Sequence, residues 1–72
     1  MRHNLKESRE KHGFTQAEMA MKLGIARTTY TNIELGTKDP SFRLAFRIKK
    51  LLKAEDEIFL SINVPDGNNK RT

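Results

Sequence analysis

Arg27, Thr28, Thr31 and Asn32 fall within two turns of chain and carry side chains that donate and accept hydrogen bonds in several directions. This is the chemistry of recognition, in which a surface is matched donor to acceptor, and it needs a rigid element to hold the groups in register. Ile25, Tyr30 and Ile33 supply that element, because they recur at helical spacing and leave the four polar residues pointing the opposite way. A helix over about residues 26–35 is therefore expected, with one face buried and the other presented as a reading head.

A second helix must hold the first. Thr15 and Glu18 form a capping box, the hydroxyl accepting from the Glu18 N–H while the carboxylate reaches back to the Thr15 N–H, so this helix starts at Gln16. Phe14 before the cap and Met19 after it stand at the positions of a hydrophobic staple. Met19, Ala20 and Leu23 continue one apolar face, and Gly24 follows where a left-handed residue must end the helix. Residues 16–35 thus read as two short helices hinged at Gly24, a helix-turn-helix, and the layout points to DNA.

Around this pair the spacing predicts further elements. Asn4, with Glu7 three residues on, is placed to cap a first helix that carries Leu5 and Arg9 one turn apart and ends at Gly13. Gly36 opens a loop to Ser41, the expected cap of a fourth helix with an apolar stripe of Phe42, Leu44, Ala45, Ile48, Leu51 and Leu52. Glu55, Asp56 and Glu57 precede Ile58 and Phe59 and suit the start of a one-turn fifth helix. Leu60, Ile62 and Val64 alternate with Ser61 and Asn63, which is strand periodicity. Such a strand, at about 59–64, needs a neighbour, either residues 2–5 of the same chain or the equivalent segment of a second subunit. Residues 65–72 hold nothing apolar after Pro65 and are expected to be disordered.

Seventy-two residues make one small domain, expected to span 1–64, with no room for a separate ligand-sensing unit. The chain has no cysteine, so packing and caps must supply the stability that disulfides or thiolate metal sites give elsewhere. No apolar run approaches the roughly 18 residues of a membrane span, and a cytoplasmic protein is expected. The formal net charge of +5 is unevenly spread, with eight basic residues against Glu34 and Asp39 between positions 22 and 53. That concentration coincides with the reading head and suits an approach to phosphates.

The residues from about Leu5 to Phe59 resemble the Cro and phage-repressor class of helix-turn-helix proteins, also known as the xenobiotic-response-element family. That class requires a small residue where Ala20 stands, glycine at Gly24, and apolar residues at Met19, Leu23, Ile25, Tyr30 and Ile33. All seven fit. The resemblance implies an all-α, compact five-helix bundle, with the C-terminal strand as an extension of it. It implies sequence-specific binding of double-stranded DNA with the second motif helix in the major groove. Carried over residue by residue, Arg27, Thr28 and Asn32 become base readers, with Thr31 a lesser one. Arg27 suits guanine O6 and N7, and Asn32 suits adenine N6 and N7. Gln16, Thr37, Lys38 and Arg43 become phosphate contacts, and Arg9 and Glu34 occupy the positions of a structural ion pair. The chain departs from the pattern at Ala26, where a Ser or Thr cap is usual, at Leu35, and at Lys53, which replaces a helix-ending glycine.

A repressor of a palindromic operator, acting as a homodimer, is the leading functional expectation. Phe46, Ile58, Leu60, Ile62 and Val64 are the expected dimer surface. The alternative is an antitoxin-like interaction module that neutralises a partner protein such as a toxin and binds DNA secondarily. An enzyme is not expected. His3 and His12 lack a matched nucleophile or carboxylate cluster, and Ser8, four residues from His12, reads as a helix-surface neighbour. No cofactor and no metal is implied. A single tyrosine, on the core-facing side, offers no platform for stacking RNA bases.

Overall fold

The computed structural model describes residues 1–59, and within them every regular element is helical. Helix α1 runs His3–Lys11, α2 Gln16–Leu23, α3 Arg27–Leu35 and α4 Phe42–Leu52, followed by a single 3-10 turn at Asp56–Phe59. Leu5 of α1, Met19, Ala20 and Leu23 of α2, Tyr30 and Ile33 of α3, Ile48 and Leu52 of α4 and Ile58 of the turn form one buried core. Each helix thus contributes its apolar stripe to a common centre, as amphipathic spacing requires.

The helix boundaries have local causes. At α2 the capping box is complete, with Glu18 N–H donating to Thr15 Oγ1 at 3.0 Å and Thr15 N–H donating to Glu18 Oε1 at 2.8 Å. Gly24 ends α2 at φ +70°, with no atom near the place a Cβ would take, so conformation and not crowding is what favours glycine there. Ser41 caps α4 by accepting from Leu44 N–H at 3.1 Å. Helix α3 starts after an extended Ala26 with no side-chain cap, in keeping with the departure noted in the sequence.

Several expectations are corrected. Asn4 does not cap α1; the helix begins at His3, and Asn4 Nδ2 instead donates to the Glu57 carbonyl at 3.0 Å, tying α1 to the 3-10 turn. Among the described residues there are four α-helices rather than five. Lys53 adopts the left-handed conformation at φ +52° and stops α4, and the described stretch that follows forms one 3-10 turn, Asp56–Phe59. Phe59 closes that turn instead of opening a strand, and no strand is present among the described residues. The N-terminal segment offered as its neighbour is committed elsewhere: His3–Leu5 are helical and Arg2 N–H bonds the Glu34 carbonyl at 2.8 Å. The remaining strand positions, 60–64, and the tail at 65–72 lie outside the described residues. Phe42 belongs to no buried stripe, being 91% exposed.

Candidate nucleic-acid interface

Helices α2 and α3 pack closely, and the small, buried Ala20 is what allows their axes to approach. Their outer edges leave a shallow hollow lined by Gln16, Arg27, Thr28, Thr31 and Asn32. The four recognition side chains named from sequence, and the expected phosphate contact at the start of α2, therefore share one surface. Arg27, Thr28 and Asn32 are exposed, while Gln16 and Thr31 are half-buried at its floor.

Beneath that floor lies a polar network that sequence spacing showed only in part. Glu34, fully buried, accepts from Arg9 Nε at 2.8 Å and Arg9 Nη2 at 3.1 Å, a two-pronged ion pair between α1 and α3. It also accepts from the Tyr30 hydroxyl at 2.8 Å and from Gln16 Nε2 at 3.0 Å. Gln16 Oε1 in turn accepts from the Thr31 hydroxyl at 3.0 Å. Every oxygen of the carboxylate thus has two donors, which is how a buried charge is made tolerable.

The electrostatics follow from this arrangement. Burial alone pushes the Glu34 carboxyl upward, but the hydrogen bonds from Arg9, Gln16 and Tyr30 outweigh it, and the group is held below the usual carboxylate range. The hydrogen bond to Glu34 raises Arg9 against its own desolvation. Burial and the bond to Glu34 together push the Tyr30 hydroxyl well above its ordinary value, so it stays a neutral donor.

The network changes how two sequence-named residues are read. Thr31 spends its hydroxyl proton on Gln16, so it orients a neighbour as well as lining the surface. Gln16 has one amide hydrogen committed to Glu34, which fixes its plane at the N-terminus of α2. Of the loop residues, Lys38 is exposed, and Thr37, also exposed, turns its hydroxyl back to the Asn32 carbonyl at 3.2 Å. Arg43 is exposed on the first turn of α4.

Arg2 was missed. Its side chain crosses under the end of α3, with Nη1 donating to the Ile33 carbonyl at 2.6 Å and the Lys38 carbonyl at 3.1 Å, and Nη2 to Asp39 Oδ1 at 2.6 Å. No sequence signal announces such a contact, because two of its three acceptors are backbone carbonyls that any residue would provide. Tyr30 was read as apolar alone, although a buried tyrosine needs a partner for its hydroxyl and Glu34 is four residues on.

Among the residues expected at a dimer surface, Phe46 is 51% exposed on α4, with Lys50 Nζ 5.5 Å from its ring centroid. Ile58 is corrected: it is 2% exposed and completes the core of its own chain, because the 3-10 turn folds back on α1. Leu60, Ile62 and Val64 lie outside the described residues. His12 turns its Nδ1 to the Ser8 carbonyl at 2.9 Å, not to the Ser8 hydroxyl, so the two do not form a nucleophile and base pair. No group of three or more metal-ligating side chains occurs among the described residues, and none of their helices is long and apolar enough to cross a membrane.

A four-helix domain with a capped, glycine-hinged pair and an outward polar face on the second member is a helix-turn-helix domain. The helix-turn-helix family model matches residues 5–58, and the chain belongs to that family of DNA-binding transcriptional regulators, which are not enzymes. It is similar to an uncharacterized HTH-type transcriptional regulator of Archaeoglobus fulgidus, 42% identical over 57 residues, covering 79% of this chain and 81% of that protein. It is also similar to the uncharacterized HTH-type transcriptional regulator MJ0272 of Methanocaldococcus jannaschii, 47% identical over 58 residues, covering 78% and 88%. The uncharacterized regulator YqaF of Bacillus subtilis is 42% identical over 59 residues, covering 82% and 78%. No solved structure matches the chain.

Proposed function

We propose that the protein is a sequence-specific repressor that binds a palindromic operator as a homodimer, with α3 in the major groove. The observation that carries this reading is the joint surface of Gln16, Arg27, Thr28, Thr31 and Asn32, held over a buried ion pair that fixes the angle of α3. Arg27 and Asn32 read base edges, Thr28 and Thr31 contribute at the same surface, and Gln16, Thr37, Lys38 and Arg43 meet phosphates. The concentration of positive charge between residues 22 and 53 favours that approach.

The homodimer in this reading is argued from the number of contacts one domain can make. A single domain makes few base contacts, whereas a two-fold pair sets two reading helices about 34 to 36 Å apart on one face of the duplex. Phe46, half exposed on α4, is the described residue that best fits the subunit contact.

Selection of duplexes from a random DNA pool at two salt concentrations tests the proposal. An enriched palindrome with half-sites one helical turn apart, bound far more tightly than random DNA, is the expected result. Weak, strongly salt-dependent binding with no enriched site would overturn sequence-specific operator binding and redirect the search to protein partners.

A further inference from the structure

We propose that Arg2 is a positioning residue for DNA binding: from beneath the domain it sets the loop between α3 and α4 so that Lys38 presents to a phosphate. The proposal rests on the reading of Lys38 as a phosphate contact and names the group that makes this contact available.

The end of α3 leaves its last carbonyls without helical partners. Asn32 O is closed from the loop side, accepting from the N–H groups of Gly36, Thr37 and Lys38. Arg2 reaches two others. Its backbone N–H takes the Glu34 carbonyl, and its guanidinium joins the Gly36 N–H on the Ile33 carbonyl. A cation at this end of a helix is favoured by the helix dipole, and the planar fork of arginine can serve acceptors on two sides at once.

The same guanidinium reaches past the helix into the loop, to the Lys38 carbonyl and the Asp39 carboxylate. Lys38 is therefore pinned at both of its backbone polar groups, its N–H by Asn32 O and its carbonyl by Arg2. Asp39 would otherwise set a free negative charge beside the phosphate-facing lysine, since its side chain is largely exposed. Pairing with Arg2 offsets that charge and draws the carboxylate toward the domain. Arg2 is itself only 3% exposed, so it acts on DNA through the loop and not by contact. Its Nε is buried without a partner, and the terminal nitrogens alone make the clamp.

The test is the salt dependence of binding to a short duplex of mixed sequence, for the wild type, Arg2→Met, Lys38→Ala and the double variant, each first checked for folding by thermal melting. Arg2→Met keeps the backbone bond to Glu34 and loses the fork. A lost phosphate contact makes the slope of log K against log salt shallower by about 0.9. The expected result is a similar loss in Arg2→Met and in Lys38→Ala, with no further loss when the two are combined. Should Arg2→Met fail to fold, Arg2→Lys is read the same way, because lysine keeps the charge but cannot span Ile33, Lys38 and Asp39 together. A wild-type slope in a folded Arg2 variant, or additive losses in the double variant, overturns the proposal alone. A wild type with no salt-dependent binding overturns the DNA-contact reading of Lys38, and this proposal with it.

Discussion

Arg9 on α1 and Glu34 at the last turn of α3 meet side by side, Nε to Oε2 at 2.8 Å and Nη2 to Oε1 at 3.1 Å, with the carboxylate fully buried. Two donors from one guanidinium fix direction as well as distance, so the pair sets the orientation of α3 relative to α1. The energy at stake is asymmetric. Removing one partner of a buried pair costs about 3 to 5 kcal/mol because the other charge stays buried and uncompensated.

Glu34→Ala is accordingly expected to lose about 3 to 5 kcal/mol, comparable to the whole stability of a domain this size. Glu10, exposed and 4.0 Å from Arg9, is worth at most about 1 kcal/mol. Thermal melting of the two variants decides it, and equal shifts would remove the structural role assigned to Glu34.

The same carboxylate makes stability depend on pH. Glu34 titrates lower in the folded chain than in the unfolded one, so the unfolded state binds more protons in acid. Its contribution is complete above about pH 5 and drains away as pH falls through the lowered folded value. The difference in melting temperature between wild type and Glu34→Gln should therefore narrow on acidification. A difference constant from pH 7 to acid would contradict the assignment.

Lys53 holds a left-handed conformation that an L-residue adopts at a cost of about 1 to 2 kcal/mol. Glycine relieves it while losing more entropy on folding, leaving a net gain of about 0.5 to 1 kcal/mol. Lys53→Gly should raise the melting temperature by about 2 to 8 °C. Lys50→Gly, inside α4, should lower it, and a fall for both would argue against the strained cap.

At the proposed DNA surface the variants should separate by kind. Arg27→Ala or Asn32→Ala is expected to cost about 1 to 3 kcal/mol on the selected site and to relax preference at one base. Arg43→Ala should weaken all sequences alike and reduce the salt slope by about 0.9. Binding to the selected duplex and to scrambled DNA, measured side by side, distinguishes the two.

Phe46→Glu should leave the fold intact, since half of the side chain is already in water, yet convert the proposed dimer to a monomer by sedimentation. Ile58→Ala should instead cost about 2 to 5 kcal/mol in stability, as a core truncation. A folded Phe46→Glu that remains dimeric would move the interface elsewhere.

The helices of the motif could be read in the sequence because their causes are local. The Thr15 and Glu18 box, Gly24 at positive φ and the Ser41 cap each act within about one turn, and the apolar spacing of Met19, Leu23, Tyr30 and Ile33 follows from helical geometry alone. Asn4 misled for a related reason. Its type and spacing suit a cap, but a tertiary acceptor, the Glu57 carbonyl, took its amide.

What the order of residues could not decide was how distant groups share hydrogen bonds. Glu34 collects donors from α1, α2 and its own helix only once packing brings Arg9, Gln16 and Tyr30 to one buried point. Ile58 became core and Phe42 became surface by the direction in which the 3-10 turn and the first turn of α4 happen to face, which apolarity alone does not specify. Arg2 is the clearest instance: its partners lie 31 to 37 residues away and are mostly backbone carbonyls. A carbonyl has no identity in a sequence, so only the folded chain can show which one a buried arginine will find.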